Sequence, residues 1–215
     1  MDEGARFPRV AAKAGHYESF YIKACEPGGG RGIWIRHTVH KRPGAEPNAS
    51  IWFVLFDREA EGPRATKVTV PAAQLSTPAG SFTRVADAEL GPGRAEGSVD
   101  TEALSAAWSL TFAGDAEPCK YLPADWLYEA RVPRTKFVAP YPNARFSGRL
   151  EVGGEAIDLD GWPGMIGHNW AASTRSAGSG SREPASRTGP TPTSMPAPPG
   201  SSSGPGPPPG SPPGC

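Results

Sequence analysis

The run Gly167-His168-Asn169-Trp170 sets an imidazole and an indole two positions apart. That short polar and aromatic cluster is the best candidate for chemistry in the sequence. Far upstream, His16 to Lys23 reads HYESFYIK. Its alternation puts Glu18 on one face with Phe20 and Ile22, while Tyr17, Ser19 and Tyr21 share the other. A carboxylate on an apolar face pairs with a cation, turns outward at a strand end, or sits in a pocket with a raised pKa. Only the last suits acid catalysis. His37 and His40 look like a metal pair, but their odd spacing in a strand sets them on opposite faces, where they cannot share an ion. Asp158 and Asp160 share one face of a strand, and Arg149 opposite Asp158 explains that carboxylate as part of a solvated surface. Trp34, Trp52 and Trp108, together with Tyr21, are candidates to line an apolar ligand cup, against the ordinary reading of strand aromatics as core. The ordinary readings of His168 and Trp170 are a hydrogen-bonded loop histidine and a packing anchor.

Strands must position all of these. Gly153-Gly154 lies between two alternating runs, the signature of a two-residue hairpin turn with positive φ at both centres. Pairing outward sets Val152 against Glu155, Leu150 against Ile157, Arg149 against Asp158 and Phe146 against Gly161. Gly161, Pro163 and Gly164 then predict a bend that lifts the His168 cluster off the hairpin end. Earlier strands are read at His16–Lys23, Ile33–Lys41, Ile51–Asp57, Ala65–Val70, Ser81–Leu90, Gly93–Asp100, Leu104–Ala113 and Trp126–Val132. Residues 1–13 read as a flexible lead-in. Gly28-Gly29-Gly30 has no helix pattern after it and is not a phosphate loop.

No segment carries a helical repeat, so the fold class is all-β: an antiparallel lipocalin-like barrel or sandwich over residues 14–170. Ile51 to Phe56 is apolar on both faces, which calls for a cover on its outside, either a second β domain or self-association. From Ala171 to Cys215 roughly two thirds of the residues are Pro, Gly or Ser, so this stretch is expected to be a disordered tail. The change is abrupt, and a frameshift or misread gene end would explain it.

Charge balances at 22 basic and 22 acidic residues without long runs, which disfavours nucleic acid and anionic membranes as partners. No run approaches the length needed to span a bilayer and no leader pattern is evident, so a cytoplasmic location is expected. Cys25, Cys119 and Cys215 fit neither a disulfide framework nor a zinc site. No cofactor is called for.

The segments HYESFYIKA, GIWIRHTVHK, IWFVLFDRE and ARFSGRLEVGGEAIDLDGWPGMIGHNW together resemble the AttH-like and carotenoid 1,2-hydratase (hydroxyneurosporene synthase) superfamily, to which tocopherol cyclase is related. The resemblance covers about residues 14–170, the first half of such a protein. It implies a lipocalin-like β-domain and assigns His168 and Trp170 to the His-x-Trp pair that hydrates a terminal isoprenoid double bond, with Glu18 as the acidic residue of the opening strand. In those hydratases a Tyr and an Asp lie beyond the pair, whereas here the chain after Trp170 turns to Ala171 and then to Pro, Gly and Ser. The expectation is therefore a module that binds an apolar or isoprenoid-like small molecule and is catalytically incomplete. The alternatives are a cofactor-independent hydratase or cyclase and a non-functional truncated product.

Overall fold

A computed structural model describes residues 4–173. Alternating apolar and polar side chains build twelve strands, joined mainly by short turns. They are β1 (Gly15–Cys25), β2 (Arg31–Lys41), β3 (Asn48–Asp57), β4 (Arg64–Pro71), β5 (Leu75–Ser76) and β6 (Thr83–Val85). There follow β7 (Ala88–Gly91), β8 (Arg94–Asp100), β9 (Ser105–Ala113), β10 (Cys119–Lys120), β11 (Thr135–Val152) and β12 (Glu155–Ser173). They form one antiparallel sheet in the order β4-β3-β2-β1-β12-β11-β9-β8-β7-β6-β5, with β10 attached to β11. The sheet curls until it is nearly closed into a barrel, bringing β4 against β8 and β3 against β6 and β8. The fold class is all-β, as expected.

Period-two burial decides which side chains fill the interior. Phe20 and Ile22 of β1, Ile35 of β2, Phe53 and Leu55 of β3, Trp108 and Leu110 of β9 and Phe146 of β11 pack into one core. Phe53 stacks on Trp108 at 5.9 Å between ring centroids, and Phe20 on Phe82 at 5.6 Å. These aromatics touch one another, so the inward rings serve as core.

The terminal hairpin turns at Gly153 (φ 59°) and Gly154 (φ 85°), and Val152, Leu150 and Arg149 meet Glu155, Ile157 and Asp158. The register then slips, so that Phe146 pairs with Trp162 instead of Gly161. An extra residue enters β12 at Asp160-Gly161, where Gly161 takes φ 61° and donates its N–H to Ser147 Oγ at 3.1 Å. The bulge displaces the partners from Phe146 to Ala144 by one position, and further register shifts follow between Ala144 and Tyr141 and between Tyr141 and Val138.

The predicted bend after Gly161 is absent. β12 runs on through Pro163 to Ser173, because β1 joins its second edge only from Gly164 onward. Pro163 thus lies where no β1 partner needs its missing N–H. Residues Asp125–Tyr128 form a 3-10 turn, not the strand expected at Trp126–Val132. Residues 5–9, read as part of a flexible lead-in, pack on the barrel: Phe7–Arg9 is a 3-10 turn and Ala5 joins the core.

On the outside of β3, Val54 is buried and Trp52 half-buried under Lys67, whose Nζ lies 4.3 Å from the ring centroid, while Phe56 is 48% exposed. Cys25 and Cys119 form no disulfide, and Cys215 lies outside the described residues, as does the segment 174–215 expected to be a tail. Among the described residues no helix is long and apolar enough to cross a membrane.

Candidate functional site

β1 is central to the site because it pairs with β2 on one side and β12 on the other. Its inward residues His16, Glu18 and Phe20 meet inward residues of both neighbours. Phe20 pairs with His37 across β2 and with His168 across β12, and Glu18 pairs with Val39 and Trp170. Two segments 150 residues apart in the chain are thereby placed in contact.

The Glu18 carboxylate is 1% exposed and receives four donors. Oε1 accepts the Arg6 N–H at 2.8 Å and His168 Nε2–H at 2.7 Å. Oε2 accepts the Phe7 N–H at 2.7 Å and His16 Nε2–H at 3.1 Å. Main-chain amides can only donate, and an ionised carboxylate can only accept, so the four bonds are mutually consistent with an anion flanked by Nε2-protonated imidazoles. Burial alone would push the Glu18 pKa upward. The hydrogen bonds from His16 and His168, the attraction of His168 and the Arg6 amide outweigh it and hold the group down to about 2. The raised pKa that acid catalysis would require is therefore not found.

His168 is 2% exposed, and burial pulls its pKa below the ordinary value despite the opposing influence of Glu18. Its ring stacks on Phe20 at 3.8 Å. Trp170 lies 4.8 Å from the His168 ring and is also buried. The Arg6 guanidinium sits over its indole at 4.4 Å and pairs with Glu129 at 3.0 Å. Tyr128, Val138 and Leu122 complete the packing around Trp170. One face of the indole is thus occupied by the chain's own cation.

Glu18, His168 and Trp170 are thus brought together. The ligand-lining candidates are not. Trp108 is inside the barrel, whereas Trp34, Trp52 and Tyr21 project from its outer face, with Tyr21 stacked on Phe137 at 6.2 Å. Alternation requires this separation, since Trp34 and Trp52 fall between the inward Ile33, Ile35, Ile51 and Phe53. Asp158 pairs with Arg149 at 3.5 Å on the surface. His37 is inward and His40 outward, so the two cannot share an ion.

Sequence reasoning missed Arg6, His16 and Lys41. Buried Lys41 donates from Nζ to the carbonyls of Ala11, Ala12 and Ala14 at 2.7–3.0 Å. The inward alternation of His16 with Glu18 was readable, but nothing local marks Arg6 as a partner. Among the described residues no group of three or more His, Cys, Asp and Glu side chains is arranged to hold a metal ion.

A second feature lies outside the barrel. A groove of about 360 Å³ runs along the outer face over Gly32, between Cys25 of β1 and Phe56 of β3, with Trp34 and Lys23 on the next rung.

No family model matches the chain. No curated protein matches it either. Among solved structures, a candidate AttH protein from Nitrosomonas europaea is 16% identical with a TM-score of 0.49, over 82% of this chain and 55% of that one. Kievitone hydratase from Nectria haematococca is 10% identical with a TM-score of 0.42, over 76% of this chain and 49% of that one. The chain spans about half the length of both. No residue assignment rests on either likeness.

Proposed function

We propose that this chain is a β-barrel module that binds an apolar small molecule on its outer face. The observation behind this reading is the groove over Gly32, walled by Trp34 and Phe56 and open to solvent beside a half-exposed Phe56. Its volume is at the lower end of small-molecule sites. Native mass spectrometry after exposure to a lipid extract tests the reading. Retention of an apolar molecule by the unaltered protein, lost in Gly32→Val, supports it; a bare protein in both cases contradicts it. A second β domain, or a second copy, would cover the same face along Trp52, Val54 and Phe56.

The convergence of Glu18, His168 and Trp170 favours a second reading, an isoprenoid hydratase or cyclase. Against it, Glu18 is an anion with all four acceptor positions engaged, and Arg6 occupies one face of the indole. Incubation with isoprenoid alkenes in ¹⁸O-labelled water distinguishes the two. A labelled alcohol whose formation is lost in His168→Gln would establish the enzyme; no label is expected.

A further inference from the structure

The outer face that carries the groove has an uneven chemistry. Outward residues of β1 are Tyr17, Ser19, Tyr21, Lys23 and Cys25, and those of β2 are Gly32, Trp34, Arg36, Thr38 and His40. β3 adds Asn48, Ser50, Trp52, Val54 and Phe56, and β4 adds Ala65, Lys67 and Thr69. Lys23, Arg36 and Lys67 are all cationic, and Asp and Glu are missing from these outward positions. The chain as a whole balances its charges, so this segregation by sign is a property of the face.

None of the three cations has a carboxylate partner among the described residues. Lys67 sits over Trp52. Arg36 donates to Ser19 Oγ at 2.7 Å and to the Tyr17 hydroxyl, and lies over the Trp34 ring at 5.3 Å. Lys23, which borders the groove, has only the Tyr21 ring, 5.6 Å from Nζ. The Trp34 indole N–H also lacks an acceptor among the described residues. An apolar trough edged by an unpaired ammonium and backed by two more cations is complementary to a molecule with an apolar chain and one negative end.

We propose that the groove takes an anionic amphiphile, its aliphatic chain lying over Gly32 between Trp34 and Phe56 and its carboxylate at Lys23. This rests on the preceding reading that the groove binds an apolar molecule, and it adds the charge of the ligand. Gly32 forms the floor because it has no side chain. A Cβ there would meet the Ala24 carbonyl at 3.5 Å and Cys25 Sγ at 3.7 Å, both ordinary contacts. Gly32→Val can therefore fill the trough without distorting the strand, and valine suits a strand position.

The test is calorimetric titration of the full chain with decanoate and with decanol, using the unaltered protein, Lys23→Gln and Gly32→Val. Circular dichroism and thermal melts establish that both variants are folded. The expected result is that decanoate binds more tightly than decanol, that Lys23→Gln weakens decanoate by about two- to fivefold while leaving decanol unchanged, and that Gly32→Val abolishes both. Added salt should narrow the gap between the two ligands. Equal affinity for decanoate and decanol, unaffected by Lys23→Gln but lost in Gly32→Val, would overturn the anionic assignment and leave the apolar reading standing. Failure of both ligands to bind, or binding that survives Gly32→Val, would overturn both. A concentration-dependent dimer that Gly32→Val turns into a monomer would also overturn it, by giving the groove to a second copy.

Discussion

Two buried ionisable groups define this protein at the scale of single residues, and they behave oppositely. Glu18 has every acceptor site filled; among the described residues neither ring nitrogen of His37 has a hydrogen-bond partner. Replacing Glu18 by Gln substitutes an NH2 donor for an oxygen that accepts two N–H groups, so donors face donors in a buried site. Glu18→Gln should cost about 2–4 kcal/mol in chemical denaturation, and an unchanged midpoint would contradict the role given to it. Burial pushes His37 down to about 4, against a smaller upward influence of the Ala88 main chain. The unfolded imidazole gains its proton near pH 6.5 and the folded one only near 4, so stability falls as pH drops between those values, by about 3 kcal/mol for this group. Glu18 acts lower: its folded value near 2 lies below the ordinary 4.5, so its contribution is present above pH 4.5 and is lost as pH falls toward 2. His37→Leu removes two unsatisfied nitrogens. It should raise stability at pH 7 by about 1–2 kcal/mol and flatten the fall between pH 6.5 and 4, measured as unfolding midpoints across pH.

At the scale of elements, the N-terminal segment and the terminal hairpin are fixed in different ways. Residues 6–14 are held by buried charges on adjacent strands, Glu18 taking amides at one end and Lys41 donating to carbonyls at the other. The hairpin is fixed by its turn. Gly153→Val places a β-branched residue at φ 59° and should cost about 1–2 kcal/mol in denaturation; a neutral effect would mean the turn tolerates another geometry. These elements also mark what the sequence could convey. The hairpin register from Val152 to Arg149 and the shared face of Glu18, Phe20 and Ile22 follow from period two alone, so they were legible. The slip at Phe146 was not, because a bulge depends on Ser147 receiving the Gly161 amide. Pro163 signalled a break, but its effect depends on where β1 ends, which is a property of the sheet. Arg6 could not be found because its role comes from its main-chain N–H and from a position over Trp170 that only the closed fold creates. Alternation sets Trp34 and Trp52 on the face opposite Ile33, Ile35, Ile51 and Phe53, so they do not join Trp108 in the single aromatic cup that the sequence suggested.

The whole molecule therefore presents two surfaces of different character. Inside, aromatics pack against one another, and the cluster of Glu18, His168 and Trp170 is engaged by residues of its own chain. Outside, Phe56 and the trough over Gly32 are exposed beside cations that have no carboxylate partner among the described residues. Phe56→Ser should change stability little, since the ring is already 48% exposed, but should weaken apolar ligands in the same titration. The most direct discrimination is a ¹⁵N-resolved NMR titration of the full chain with decanoate, following the indole N–H signals of Trp34 and Trp170 together with the main-chain amides. Binding in the outer groove shifts Trp34, Gly32, Lys23 and Phe56 and leaves Glu18, His168 and Trp170 in place. Shifts centred on Glu18, His168 and the Trp170 indole, with the groove residues unmoved, would contradict it.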